Sequence, residues 1–210
     1  MRDQILRAAK TVFLRDGYTA STAKIIEEAG IARQSLYNHF RSKEALFRAV
    51  VEYVSWETMR PLLSLQLAAE MELPTALLRF GTSYVEGALH PDNLALTRLI
   101  AAATVEVPEI GAMVYQLRRS IPMLVAYLKA QHDTGAIECH SPELVAESFA
   151  GALVGPARYR YLINVELDMS PARRRSYVRE VVRVYVEGLH YRPATGPRKA
   201  PVEGNVSPAL

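Results

Sequence analysis

The chain is poor in the residues that build the commoner kinds of active chemistry. Cys139 is its one cysteine in 210 residues, which excludes an intrachain disulfide framework and fits a reducing, cytoplasmic compartment. No apolar stretch approaches the roughly 20 residues needed to cross a bilayer, so no membrane partner is expected. The opening run Arg2-Asp3-Gln4 lacks the pattern of a secretory signal. Phosphate-cradling glycine loops are missing, as is a nucleophile elbow, and no histidine pair has the helical spacing of a metal site. His132, Cys139 and His140 lie close in sequence, but their spacing matches no zinc pattern. These gaps argue against an enzyme, a metal site or a bound cofactor. Alternating runs of strand type are missing too, which leaves an all-α fold class.

What is present is helical periodicity, and it is most informative between residues 22 and 43. The spacing predicts a short helix over 22–29, a turn at Gly30-Ile31-Ala32 and a second short helix from Arg33. Leu36 and Phe40 are four apart and face inward. At about 100° per residue, Gln34 and Asn38 fall on the opposite side, with Ser35 and Tyr37 on its flanks. Ile25, Ile26 and Ala29 supply the matching inner surface, and Gly30 suits a left-handed turn just past the first helix. Upstream, Ile5, Ala9, Val12 and Phe13 make one stripe of a helix ending near Asp16-Gly17, so three helices can close a small core.

Such corners occur in many proteins that never meet nucleic acid. Charge separates the cases. Residues 1–48 hold nine Lys or Arg against five Asp or Glu, a net of +4, while the remainder holds 16 against 17. With a pI near 9.0, the positive excess sits entirely in the segment that holds the corner, as an approach to phosphates requires. Ser42 is placed to cap a long following helix, which puts Lys43 in a first turn whose dipole disfavours a cation; a phosphate there reverses that penalty.

Ile5-Leu6, Ala8-Ala9, Phe13, Gly17-Tyr18, Thr22, Ile25, Ala29-Gly30-Ile31, Leu36-Tyr37, His39-Phe40, Ser42-Lys43-Glu44 and Leu46 together resemble the N-terminal domain of TetR-family transcriptional regulators. The resemblance implies a double-stranded DNA operator as partner, with Thr22, Ser35, Tyr37, His39 and Lys43 on the backbone. Arg33 and Gln34 are then placed for base edges, in keeping with Arg forking onto guanine and Gln onto adenine. Asn38 faces outward, and whether it reaches a base depends on the tilt of docking. Three positions depart from the family pattern: Ala32 cannot cap the recognition helix, Ile26 replaces a small residue, and Ala23 stands where some members place a DNA contact.

Proline and serine delimit further helices near 43–60, 74–89, 91–105, 108–131, 142–164 and 171–190, with bends expected at Pro122 and Pro156. A partition follows: a reader over 1–48, a helical effector-binding and dimerisation domain over 49–191, and a disordered tail over 192–210, which contains four Pro and two Gly. Val178, Val182, Tyr185 and Leu189 form one stripe of the last helix and Val181, Val184 and Gly188 another. With the small Gly151, Ala152 and Gly155 of the preceding helix they are expected to pair with a second copy as a homodimer. Phe80, Tyr84, Leu99, Ala103, Met113, Tyr115, Leu117, Phe149 and Tyr159 are candidates to line a cavity for an apolar small-molecule effector, as the family resemblance implies; each also suits a plain core. Arg98-Leu99-Ile100-Ala101 followed by Pro108-Glu109-Ile110 looks more faintly like the AefR-type C-terminal domain, without its acid at Ala103. Three functions stand open: a ligand-responsive dimeric repressor, an enzyme or carrier with a structural corner, and a ligand-free DNA packager.

Overall fold

Helix starts in this chain follow its punctuation. The computed structural model describes residues 1–117, 119–166 and 170–192, and among these it has ten helices and no strand. They are α1 (Arg2–Asp16), α2 (Thr22–Ala29), α3 (Arg33–His39), α4 (Lys43–Leu63), α5 (Leu73–Ala88), α6 (Pro91–Glu106), α7 (Glu109–Gln116), α8 (Ser120–Asp133), α9 (Pro142–Leu162) and α10 (Pro171–Gly188). Ser21, Ser42 and Ser170 each accept a hydrogen bond from the amide three residues on, starting α2, α4 and α10. Proline stands in the first turn of α5, α6, α9 and α10, where its missing N–H has no partner to lose. Ser141 occupies the cap position of α9 but makes no side-chain bond there.

The helix expected over 108–131 is two helices. Pro122 has no N–H to give to a continuous helix, and it falls in the first turn of α8, where none is needed. α9, by contrast, runs on through Pro156. The carbonyl that Pro156 leaves without a helical donor belongs to Ala152, and the Tyr177 hydroxyl of α10 donates to it instead.

Two apolar clusters fill the molecule. Ile5, Phe13, Ile25 and Leu36 of the first three helices pack with Phe47, Val50 and Val54 of α4, and the set is closed by Leu96, Leu99 and Ala103 of α6 and Ile110 of α7. Within it Phe47 meets Phe13 and Tyr18 edge to face, with centroids 5.3 and 4.9 Å apart. The second cluster joins α5, α8, α9 and α10 around Phe80, Leu124, Leu128, Phe149, Leu153 and Val178. The reader's core therefore continues across residue 48 into α4 and α6. Of the tail expected over 192–210, all but Arg192 lies outside the described residues.

Candidate nucleic-acid interface

The corner is built by local rules. Gly30 ends α2 in the left-handed region, at φ 61° and ψ 41°, where a residue with a Cβ would be strained. Gln4 of α1 donates to the Ala29 carbonyl at 2.8 Å, satisfying an acceptor that the helix end leaves open. Ala32, with no side-chain acceptor, starts α3 through its backbone, receiving the Ser35 amide at 3.0 Å. Leu36 and Phe40 are buried in the first cluster. That fixes the rotation of α3 and leaves Arg33, Gln34, Tyr37, Asn38 and His39 exposed, with Ser35 half-buried at the edge. Ile26 is partly buried against the same cluster, and Ala23 is exposed.

These outer side chains are held together. The Tyr37 hydroxyl lies 3.4 Å from Thr22 Oγ1, joining α3 to the start of α2. Arg33 stacks its guanidinium 5.6 Å from the centroid of the same ring. The Thr22 bond and the nearby guanidinium draw the pKa of the Tyr37 phenol below its ordinary value. Gln34 donates to Asn38 at 2.9 Å, one turn apart, so the two amides form a single hydrogen-bonding plate on the exposed face. Lys43 sits 4.7 Å above the Tyr18 ring, and partial burial there lowers its pKa. Ser42 accepts from the Ala45 amide at 3.1 Å just beside it.

Charge is sorted around this face. Lys10 is engaged by Glu57 and Asp92, Arg15 and Lys24 by Asp16 and Glu28, and Arg48 by Glu52. Arg33, Arg41 and Lys43 form no ion pair among the described residues, nor does Arg2, whose guanidinium lies 5.6 Å from the Phe40 ring. Arg2 and Arg41 were not singled out by sequence. Their signal was only their membership of the basic N-terminal excess. Arg7 of α1, close enough to Tyr53 of α4 to act on its phenol, also forms none, so the cations without an ion pair include those beside α3, and a phosphate backbone is the polyanion that such an arrangement suits.

Behind the reader lies a cavity of about 440 Å³, walled mainly by α4 and α6 with contributions from α5, α7, α8 and α9. Of the residues expected to line a pocket, Tyr84 and Leu117 do so. Phe80 and Phe149 are fully buried in the second cluster, Leu99 and Ala103 in the first, and Met113 packs on the first from its edge. Tyr115 and Tyr159 are exposed, and Tyr115 bonds to Glu147. The walls that sequence missed are Val51, Ser55, Trp56 and Met59 of α4 and Leu96, Thr97 and Ile100 of α6. α4 carries apolar residues around its whole circumference, and that was the available signal. On the outer side of α9 and α10, Gly151, Gly155, Val184 and Gly188 are exposed, while Ala152, Val181 and Tyr185 are half-buried. Val178, Val182 and Leu189 are buried in the chain's own second cluster, because α10 turns that stripe toward α5 and α9. They back this surface rather than lie on it. His132 is engaged by the loop it supports, with Nδ1 3.4 Å from the Cys139 amide.

A helix-turn-helix head with a polar, unpaired basic face, mounted on a larger helical body, defines a DNA-binding transcription regulator. Residues 5–50 match the family described as bacterial regulatory proteins, tetR family, and residues 75–191 match the AefR-like transcriptional repressor C-terminal domain. The chain belongs to the TetR family. Over 60 residues the chain is 43% identical to the uncharacterized HTH-type transcriptional regulator YfiR of Bacillus subtilis, covering 28% of this chain and 29% of that one. Over 57 residues it is 40% identical to the HTH-type transcriptional repressor KstR2 of Mycolicibacterium smegmatis, covering 26% and 28%. The match thus spans under a third of each of these relatives. Over nearly the whole fold, the structure is similar to that of a TetR-family regulator from Mesorhizobium loti, at a TM-score of 0.78 and 23% identity, covering 89% of this chain and 95% of that one. The flavonoid-responsive regulator FrrA has a similar fold, at a TM-score of 0.74, 23% identity and the same coverage. Among the described residues no helix is long and apolar enough to cross a membrane.

Proposed function

We propose that the chain works in the cytoplasm as a homodimeric repressor, reading a near-palindromic operator and releasing it when a small molecule occupies the cavity behind the reader. The observation that carries this reading is the outer face of α3, its rotation fixed by Leu36 and Phe40 and bordered by cations that form no ion pair among the described residues. Arg33 has the fork for a guanine edge, and the Gln34–Asn38 plate has the paired donor and acceptor for adenine. Thr22, Ser35, Tyr37, His39 and Lys43 surround these with groups suited to phosphate oxygens.

One head covers half an operator, and a two-fold pair sets two recognition helices about 34–36 Å apart. Gly151, Gly155 and Gly188 favour α9 and α10 as the pairing surface, since a Cβ at any of them would meet nothing within 4 Å and a partner helix has room to approach closely. Exposed Val184, Tyr159 and Leu162 add apolar area there. Effector control is supported by the double duty of α4 and α6, which close the reader's core on one side and wall the cavity on the other. An occupant that parts them changes the spacing of the two heads.

The test is anisotropy with the full chain on duplexes tiling the DNA that flanks its gene, against random duplex. A defined site should bind at least about 1,000-fold more tightly than random DNA, and both affinities should fall steeply with salt. Equal binding to all duplexes would contradict the reading.

A further inference from the structure

The cavity is apolar along most of its wall, yet two arginines line it. Trp56, Met59, Leu96, Ile100 and Leu117 make a hydrocarbon and indole surface, and Arg119 and Arg158 line the same space. Arg158, on α9, is half-buried, and its Nε is shut off from solvent with no hydrogen-bond partner. Neither arginine has a carboxylate partner among the described residues. Glu52 is the acid that lines the cavity, and it is engaged with Arg48 at 3.4 Å along α4.

An N–H donor of a permanent cation, dehydrated and unmatched, is unfavourable by itself, because burial removes water that nothing replaces. Buried polar groups are nearly always hydrogen-bonded, so one left over calls for a partner. A planar guanidinium is suited to a carboxylate, which can take two parallel N–H bonds and the charge together. Arg119 is more exposed and adds a second positive charge at the same wall. We infer that the cavity takes an amphipathic organic acid, with its apolar body against Trp56 and the α6 face and its carboxylate on Arg158, assisted by Arg119. The volume, about 440 Å³, falls within the range of about 300–1,000 Å³ usual for small-molecule sites. This inference rests on the proposed reading of the chain as an effector-controlled regulator and specifies the effector's chemistry.

Trp56 is the chain's one tryptophan, so its fluorescence reports occupancy directly. The full-length protein is titrated with decanoate and, separately, with decan-1-ol, which has the same chain and no charge. Decanoate should perturb Trp56 saturably and bind at least tenfold more tightly than decan-1-ol. Arg158→Gln should erase that preference while leaving decan-1-ol binding unchanged, Arg158→Lys should restore part of it, and Arg119→Gln should reduce it by a smaller factor. Equal binding of the two probes, binding of neither, or decanoate binding indifferent to both Gln substitutions would overturn the inference. The same titration is repeated with the operator duplex bound. Arg158-dependent decanoate binding that leaves DNA affinity unchanged would uphold the acid-binding site and overturn instead the proposal that its occupant controls DNA release.

Discussion

Replacing Gly87 with alanine should loosen the joint between the helix that leaves the reader and the body behind it. A Cβ at Gly87 would lie 2.5 Å from the Met59 sulfur and 2.7 Å from the Thr58 carbonyl oxygen. The Met59 side chain can swing aside, but the Thr58 carbonyl is backbone within α4, so relief requires α4 and α5 to part. Overpacking of this kind costs about 1–3 kcal/mol, and a backbone obstacle places the change near the top of that range. The gain in helix propensity from Gly to Ala offsets about 1 kcal/mol, leaving a net loss of about 2 kcal/mol. For a chain of this size each kcal/mol moves Tm by about 2–4 °C, so a thermal scan followed by circular dichroism should show a fall of about 4–8 °C. Parting the helices also strains Asn93, which donates to Thr58 Oγ1 at 3.2 Å and to the Gly87 carbonyl at 3.1 Å. Gly81→Ala is the graded comparison. Its new Cβ would meet only side chains, the nearest being Val178 Cγ1 at 3.0 Å, and its loss should be smaller. A Gly87→Ala protein as stable as the parent, or less affected than Gly81→Ala, would refute the reasoning.

Lys10 of α1 reaches Asp92 on α6 at 2.6 Å and Glu57 on α4 at 3.2 Å. Partial burial works against its charge, but these bonds outweigh it and hold its pKa above the usual 10.5. Its stabilisation is therefore complete below about pH 10.5 and fades as pH rises through the higher folded-state value; Lys10→Met should lose roughly 1–2 kcal/mol by urea unfolding at pH 7 and remove that alkaline dependence. Asp16, bonded to Arg15 and Lys24, has its pKa held down to about 2 from 3.8. Its contribution is present above about pH 4 and lost as pH falls toward 2, so Asp16→Asn should flatten the acid limb of a stability profile measured by urea unfolding. Gly155→Arg should leave helicity intact and convert the proposed dimer to a monomer in sedimentation velocity at micromolar concentration; an unchanged sedimentation coefficient would remove α9 from the proposed pairing surface.

The legible parts of this molecule were those governed by neighbours in sequence. Ser42 and Ser170 act on amides three residues away, proline acts on its own turn, and Leu36 with Phe40 fixes the outward face of α3 through a four-residue spacing. Distant partners were not legible. Lys10 and Asp92 are 82 residues apart, and Leu96, Leu99 and Ala103 join a core whose other members lie mostly before residue 55. Leu99 and Ala103 carry the same periodicity whether they face a cavity or close a core, so spacing could not assign them. The stripe of Val178, Val182 and Leu189 poses the same problem on α10: a broad apolar arc tells that two surfaces are met, not which valine meets the chain's own α5 and which remains outside.

The measurement closest to the central claim is a salt titration of operator binding by the parent and by Tyr37→Ala combined with Lys43→Ala, using the duplex recovered from the flanking DNA. The account predicts at least tenfold weaker binding for the variant, with helical content retained. The slope of log K on log salt should also be shallower, by about 0.9 for each phosphate that the variant no longer neutralises. The same affinity and the same slope in a folded variant would contradict the claim that the exposed side of α3 and the start of α4 hold the duplex.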